Sequence, residues 1–391
     1  MSVAPILNGI DTVMYLVNYP EGGWEVLSAD TRVPKVLVMC EGGSMTVDEL
    51  ASNPAEEDLY GAMGDYISYL HDNPDLEVAD SLGNWSDVAH QTENMQTREI
   101  ESRVLIGTSV LTDIEEKQDH LTVTRWGQGR ANAAIGKWNL NSPKQSSTSN
   151  YRCVTGCIPV AIAQMMYYLH HKIGTPAGYY NDFTVSTYIP DNSTSVTIST
   201  SHLTGSPSQS YDWALLPLKI DHSIYTDAQY EYVSSMMTHI GYVTNATYTL
   251  SGTDVSVNKI KQYFNMIGIN CSEPCSLDWG IVHDEIFERQ MPVLLGVSCS
   301  HGRHRTILDG IYYKLKEVEK RYVWNSVSGP RYKTEIETDA LNMACFNWGY
   351  ESSGMVSASG DTIWYNMYGI SWSAGGHIFT EADNMIYGFT N

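Results

Sequence analysis

The chain lacks any long apolar segment and is poor in positive charge. No stretch of 18 or more consecutive apolar residues occurs, so no membrane-spanning helix is predicted. The sequence has 23 Lys and Arg against 45 Asp and Glu, which gives a formal net charge of -22. A chain this acidic repels phosphate backbones, so a nucleic-acid-binding function is excluded. The hydrophobic fraction of 42% still predicts well-formed cores.

Cysteine is scarce and not arranged as a framework. There are seven, at Cys40, Cys153, Cys157, Cys271, Cys275, Cys299 and Cys345. An odd number without tight spacing argues against a disulfide scaffold, although the four-residue spacing of Cys271 and Cys275 leaves a small bridge open. An unpaired thiol in such a set is a candidate for reactive chemistry, and inert packing of a buried thiol is the alternative.

The length of 391 residues predicts about two domains. Residues 10 to 40 alternate as strands, and Asn53-Pro54 is typical of a helix start, with the helix running to His71. Together they predict a small α+β unit. Residues 73 to 120 are acidic and weakly periodic, so we interpret them as a linker, with a second domain beginning near residue 121.

The segment around Cys157 carries the clearest chemistry. Gly156 permits a tight turn, and Pro159 is typical of a first helical turn, because its missing N–H costs nothing there. A buried helix is predicted from Ala161 to Leu169. Cys157 would then lie at a helix N-terminus, where the partial positive charge favours the thiolate. The alternative is a buried cysteine at the end of a core helix.

This segment, Thr155-Gly156-Cys157-x-x-Val160-Ala161-x-Ala163-Gln164, resembles the nucleophile segment of the streptopain family of bacterial papain-like cysteine peptidases. Trp126-Gly127-Gln128-Gly129 is similar to the family's oxyanion segment, and residues 10 to 45 resemble its propeptide, especially residues 24 to 30. The resemblance implies an α+β papain-like fold. Such a fold has a helical half and a twisted antiparallel sheet, and here a small α+β prodomain would precede it.

A family member needs a histidine as acid and base, and the resemblance implies His304. The segment His304-Arg305-Thr306-Ile307-Leu308-Asp309-Gly310 is similar to the family's histidine motif. It departs from that motif at Arg303, where glycine is usual, and at Arg305 and Thr306, where small and aromatic residues are usual. His377, after two glycines, is a local rival that comes too late in the chain for the family order.

Asn347-Trp348-Gly349-Tyr350 resembles the family's Asn-Trp-Gly-Trp element. The resemblance implies that Asn347 orients the imidazole and that Trp348 shields their hydrogen bond from water. The spacing from His304 is long, as if residues 312 to 344 held an insertion, and Trp324 is the nearer alternative. Gln128 and the Cys157 backbone N–H are the expected oxyanion donors.

We therefore expect a propeptide or prodomain with linker over residues 1–120 and a catalytic domain over residues 121–391. The expected function is the zymogen of a secreted cysteine endopeptidase that acts on extracellular proteins and is latent until cleavage between about residues 90 and 125. The expected partners are protein or peptide substrates and the chain's own propeptide, with no cofactor, nucleic acid or membrane span. The expected location is secreted, cell-surface or periplasmic in a bacterium, with the signal peptide not present in this chain.

Two other functions compete with this prediction. The departures at Arg303 and Arg305 and the long spacing favour a catalytically impaired homologue that binds peptides or host proteins. A Cys-His amidase or peptidoglycan hydrolase is the second alternative. A zinc site formed by Cys299, His301 and His304 lacks an evident fourth ligand, so no metal is expected.

Overall fold

The computed structural model describes residues 1–52, 54–76, 78, 103–129, 136–174, 178–179, 188–198, 209–299, 302–326, 329–367, 372–374 and 377–391. In these ranges, no helix is long and apolar enough to cross a membrane.

The N-terminal unit is a four-stranded antiparallel meander with two helices. The strands are β1 (Ser2–Asn8), β2 (Asp11–Asn18), β3 (Trp24–Ser28) and β4 (Val36–Cys40), followed by α1 (Val47–Ala51) and α2 (Pro54–Asp72). The bounds of α2 confirm the helix predicted from Pro54. The first strand was not predicted, because most of its side chains are exposed and leave little hydrophobic alternation.

Part of the predicted linker is a long strand, which corrects that interpretation. Strand β5 (Val104–Gln118) pairs antiparallel with β12 (Gly302–Ser326), from Val104 opposite Val323 to Gln118 opposite Ile311. Most of its side chains are exposed, so the strand lacks the buried face that would produce a period of two. Residues 79–102 of the linker lie outside the described residues.

The helical half follows β5. It contains α3 (Cys157–Ile173), α4 (Asp227–Val243), α5 (Val257–Met266) and the short α6 (Trp279–His283). Five short strands accompany them: β6 (Gly178–Tyr179), β7 (Ser195–Thr197), β8 (Gln209–Ser210), β9 (Thr247–Thr249) and β10 (Thr253–Asp254). Helix α3 runs through the middle of this core, which is why its residues from Ile158 to Met166 are buried.

The remaining strands belong to one large antiparallel sheet. They are β11 (Val293–Cys299), β12, β13 (Gly329–Asn347), β14 (Ile363–Asn366), β15 (Trp372–Ala374) and β16 (His377–Ile386). The order is β1-β2-β3-β4-β14-β13-β12-β11-β16-β15, with β5 added to β12. Strands β12 and β13 form a long hairpin, and the predicted insertion at residues 312 to 344 is its outer part.

The N-terminal unit shares its core with this sheet. Strand β4 pairs with β14, with Cys40 opposite Ile363, and α2 packs against β11, β15 and β16. One buried cluster contains Trp24 and Tyr66 from the N-terminal unit together with Leu295, Phe346 and Met385 from the sheet. The N-terminal unit is therefore docked by both hydrogen bonds and apolar burial.

Candidate active site

Cys157 is the first residue of α3, as predicted. Gly156 before it has φ +90°, a backbone conformation that favours glycine, and a Cβ there would lie 2.5 Å from the Cβ of Thr253. Glycine is thus required both by the backbone and by the space available. Pro159 is buried in the first turn of the helix. These residues fix the thiol on a rigid element at the positive end of the helix.

The thiol of Cys157 lies beside the imidazole of His304, which is on β12. Burial raises the pKa of the Cys157 thiol, but the charge of His304, its hydrogen bond to the sulfur and the backbone N–H of Arg305 outweigh burial and lower the pKa below its ordinary value. This pair favours a thiolate and an imidazolium, which are the forms that attack a carbonyl and protonate a leaving group.

The imidazole is held by the turn after β13. Its Nε2 donates to the backbone carbonyl of Trp348 at 2.6 Å, because the carbonyl oxygen can only accept. Tyr350 stacks on the ring, with centroids 5.1 Å apart and planes at 12°, and the Trp348 ring lies 6.1 Å away. With Nε2 so engaged, Nδ1 is the nitrogen left to exchange a proton with sulfur.

Asn347 reaches the site with different partners from those expected. Its side chain is 1% exposed, and the two hydrogens of its Nδ2 are shared among three acceptors: Thr122 Oγ1 (3.0 Å), the Thr124 carbonyl (2.9 Å) and Gln164 Oε1 (3.0 Å). Its Oδ1 accepts from Gln164 Nε2 at 3.0 Å and Gly349 N at 3.3 Å. The amide thus ties α3 to the turn, while the Trp348 carbonyl, which the sequence could not indicate, receives His304.

Gln128 lies between the cysteine and tryptophan segments. Its backbone N–H donates to the Gly349 carbonyl (3.1 Å), and its carbonyl accepts from the Thr155 N–H (2.7 Å). Within the described part of the chain, no residue hydrogen-bonds its side-chain amide. An oxyanion donor needs an amide that the protein itself does not engage, and Gln128 meets that condition with respect to the described residues.

Trp348 is buried in an aromatic cluster beside the imidazole. Its ring lies 4.9 Å from Phe346 and 5.5 Å from Tyr365, measured between centroids. The alternative, Trp324, is 20 residues beyond His304 on the same strand, which separates the two by on the order of 60 Å. It stands opposite Arg331 on the hairpin, and Arg103 lies over its ring. The structure therefore removes Trp324 from the site.

Two other predictions depend on residues that the structure describes only in part. His377 begins β16, but its side chain lies outside the described residues, as does the whole of His301. The choice of His304 over His377 and the rejection of a Cys299, His301 and His304 zinc site therefore stay predictions.

Sequence reasoning gave no role to Gln164 or Tyr350. Gln164 follows Cys157 by seven residues, which is two helical turns, so the two share one face of α3. That spacing was a signal that could have been used. The stacking of Tyr350 on His304 depends on how the chain turns after β13, and no sequence pattern specifies it.

One cluster in the described ranges has metal-ligand chemistry. His120, Asp309 and Cys345 lie close enough to share an ion. His120 Nδ1 lies 2.7 Å from Asp309 Oδ1, and its Nε2 lies 3.1 Å from the Met355 carbonyl. Both ring nitrogens face acceptors, so both carry protons and the residue is an imidazolium paired with a buried carboxylate. A metal ion bound through the ring would have to displace one of these protons, so protonation of His120 competes with metal binding.

The overall architecture is similar to that of a solved zymogen fragment. The structure of a Prevotella intermedia prointerpain A fragment, a cysteine-to-alanine mutant, matches with a TM-score of 0.54 and 17% sequence identity, over 99% of each chain. This match confirms the predicted fold. No curated protein sequence matches the chain. The peptidase C10 family model matches residues 133–354, more than half of the chain and the part that holds Cys157, His304, Asn347 and Trp348. The chain therefore belongs to the peptidase C10 family, and it is a cysteine peptidase.

Proposed function

We propose that this cysteine peptidase is the zymogen of a secreted endopeptidase, with Cys157 as nucleophile and His304 as acid and base. The observation that supports the proposal most is the hydrogen-bonded Cys157–His304 pair at the N-terminus of α3, where the pKa of the thiol is lowered. The substrates are extracellular proteins and peptides, and no cofactor takes part.

The chemistry is acyl transfer in two stages. The Cys157 thiolate forms a bond to the carbonyl carbon, and the carbonyl π electrons move to oxygen, which becomes the oxyanion. The Cys157 backbone N–H and the Gln128 amide donate to that oxygen. When the intermediate collapses, the C–N bond breaks and His304 gives its proton to the leaving amine. Water then attacks the thioester carbon and loses a proton to His304, and the thiolate leaves with the electrons of the C–S bond.

The other site residues orient this pair. The Trp348 carbonyl holds His304 at Nε2, and the buried Trp348 ring keeps water from that bond. Asn347 acts one step further away, because its amide fixes the turn that carries the carbonyl. Its network with Gln164 couples the turn to the helix of the nucleophile.

The docking of the N-terminal unit on the sheet supports the proposed latency. Residues 1 to 120 are proposed as the propeptide, which inhibits in cis, and cleavage is proposed between about residues 90 and 125. Within that range, the backbone of β5 is engaged in the ladder with β12. Paired strands resist proteases, so the bonds before residue 104 or after residue 118 are favoured.

The test of the nucleophile compares Cys157→Ala with Cys271→Ala. Cys271 is also partly exposed, but burial raises the pKa of its thiol to about 11. Casein hydrolysis and self-cleavage should vanish in Cys157→Ala and persist in Cys271→Ala. Full hydrolysis by Cys157→Ala would refute the assignment. Hydrolysis of cell-wall fragments but not casein would favour an amidase instead.

Latency is tested on the full chain under reducing conditions, with and without added trypsin. Fragment masses and casein hydrolysis are followed together over time. Hydrolysis should rise only as a fragment ending between residues 90 and 125 is released. Full activity in the uncut chain would overturn latency and leave the peptidase assignment intact.

A further inference from the structure

Arg305, directly after His304, is a buried cation whose hydrogen-bond partners among the described residues are neutral. It is 6% exposed, its Nη1 donates to the Asn384 backbone carbonyl (3.2 Å) and its Nη2 to Asn384 Oδ1 (2.8 Å). Its Nε is buried, and no group in the described ranges accepts from it. Burying a guanidinium this way costs free energy that no carboxylate hydrogen bond returns, so packing alone does not explain the residue.

The surrounding strands leave space for this guanidinium. Gly296 lies opposite Arg305 in the β11–β12 ladder, and a Cβ on Gly296 would come within 2.9–3.1 Å of the guanidinium atoms. Beyond Gly296, Asn384 of β16 accepts hydrogen bonds from the two terminal nitrogens of the guanidinium. The charge is therefore fixed in position between β11 and β16 rather than free to reach solvent.

Two ionisable groups from other elements act on Arg305: Cys157 of α3, and the exposed Asp383 of β16, whose Oδ1 accepts from Ser298 Oγ at 2.7 Å. On β12 itself, the adjacent ionisable residue is His304, whose side chain leaves the strand on the opposite face. Burial lowers the pKa of Arg305 to about 10, while the thiolate of Cys157 and then Asp383 oppose that effect. Arg305 thus stays charged at neutral pH.

We propose that Arg305 is a positioning residue that places a permanent positive charge beside the nucleophile and stabilises the Cys157 thiolate whether or not His304 is protonated. This rests on the proposed function, in which Cys157 is the nucleophile. A positive charge favours the thiolate and disfavours the imidazolium, so it lowers the pKa values of both members of the pair. The pH range in which the Cys157 thiolate and the His304 imidazolium coexist is then shifted to lower pH.

The test is the pH dependence of Cys157 alkylation by iodoacetamide in the full chain, with the label located by mass spectrometry. Arg305→Met should move the midpoint of alkylation upward by roughly one pH unit, and Arg305→Lys should restore most of the difference. Arg303→Met removes an exposed cation two residues away and should leave the midpoint unchanged. An unmoved midpoint in folded Arg305→Met, or an equal shift in Arg303→Met, would overturn the proposal.

A second variant keeps the test open if Arg305→Met does not fold. Arg305→Gln removes the charge but keeps a polar amide that can donate to Asn384, so it should fold and move the alkylation midpoint upward as Arg305→Met does. An unmoved midpoint in Arg305→Gln would contradict the proposal. The readout is the acidity of the thiol and not hydrolysis. Failure of Cys157→Ala to abolish hydrolysis would therefore sink the proposed function without deciding the role of Arg305.

Discussion

The two halves of β12 differ in burial and in what they do. In the near half, residues 305 to 311 are all buried, and this half carries His304 and Arg305. In the far half, from Tyr313 to Trp324, the side chains are partly or fully exposed, and ion pairs such as Lys320 with Glu337 (2.6 Å) cross the ribbon. The site is built on the near half, and the far half projects away from it.

This difference explains the long spacing between His304 and Trp348. Asn347 pairs with Ile307 at the base of the hairpin, and Thr306 Oγ1 donates to the Asn347 carbonyl at 2.8 Å. Residues inserted in an antiparallel hairpin extend its outer end and leave the base unchanged. The spacing therefore does not argue for an impaired homologue, because His304 and Trp348 remain neighbours however long the hairpin is.

The largest contrast between the halves is expected from His304→Ala and Tyr322→Ala. Loss of His304, the proposed acid and base, should lower kcat/KM for a peptide substrate by about 10³-fold, because members of a catalytic set act as a unit. Tyr322 lies on the exposed far half, so its loss should leave kcat/KM nearly unchanged. Steady-state kinetics of the processed enzyme measure both. Equal losses would show that the far half takes part in catalysis.

His120→Gln should lower the free energy of unfolding, because it leaves Asp309 of the near half buried without its cation. Burial lowers the pKa of His120, but Asp309 and Cys345 outweigh it and raise the pKa well above its ordinary value. A histidine whose pKa is higher in the folded than in the unfolded protein stabilises the fold. This stabilisation is complete below the pKa of the unfolded state, about 6.5, and is lost as the pH rises through the pKa of the folded state. We expect a loss of about 3 kcal/mol at pH 6 that shrinks in alkaline solution.

Chemical denaturation at a series of pH values measures this loss. His283→Gln is the matched control, because His283 forms an exposed ion pair with Glu116 of β5 at 3.1 Å. Its loss should change the free energy of unfolding by under about 0.5 kcal/mol. A loss in His120→Gln that grows with pH would contradict the assigned charge state.

Trp348→Ala against Trp324→Ala compares one aromatic from each region. In the proposed mechanism Trp348 shields the bond that holds His304, so its loss should lower kcat by about tenfold, on the order of 1.4 kcal/mol, with less change in KM. Trp324→Ala should change neither. If Trp348→Ala raised only KM, the ring would contact substrate and not protect the hydrogen bond.

The smallest effect is expected from Lys320→Ala in the far half. The ion pair with Glu337 is partly exposed, so its net contribution is screened by solvent. The free energy of unfolding should fall by under about 0.5 kcal/mol, and less at high salt. A loss of several kcal/mol in a denaturant titration would show that the ribbon is part of the cooperative core.

The sequence predicts a residue's setting correctly where the neighbours that define it lie in the same segment of the chain. Gly156, Cys157 and Pro159 define a helix start by themselves, and the structure has that start. Strand β5 was missed because its stability comes from pairing with residues some two hundred positions later, and its exposed side chains leave no period. The partners of Asn347 come from Thr122, Thr124 and Gln164, three positions that no spacing rule brings together.

The most direct measurement of the central claim is inactivation of the processed enzyme by limiting iodoacetamide at pH 6. At that pH, the lowered pKa of Cys157 makes it the preferred target, while burial raises the pKa values of Cys153, Cys271 and Cys345 to about 11. Hydrolysis should fall in proportion to one label on the peptide that contains Cys157. Full labelling of Cys157 with hydrolysis retained, or loss of hydrolysis with Cys157 unlabelled, would contradict the account.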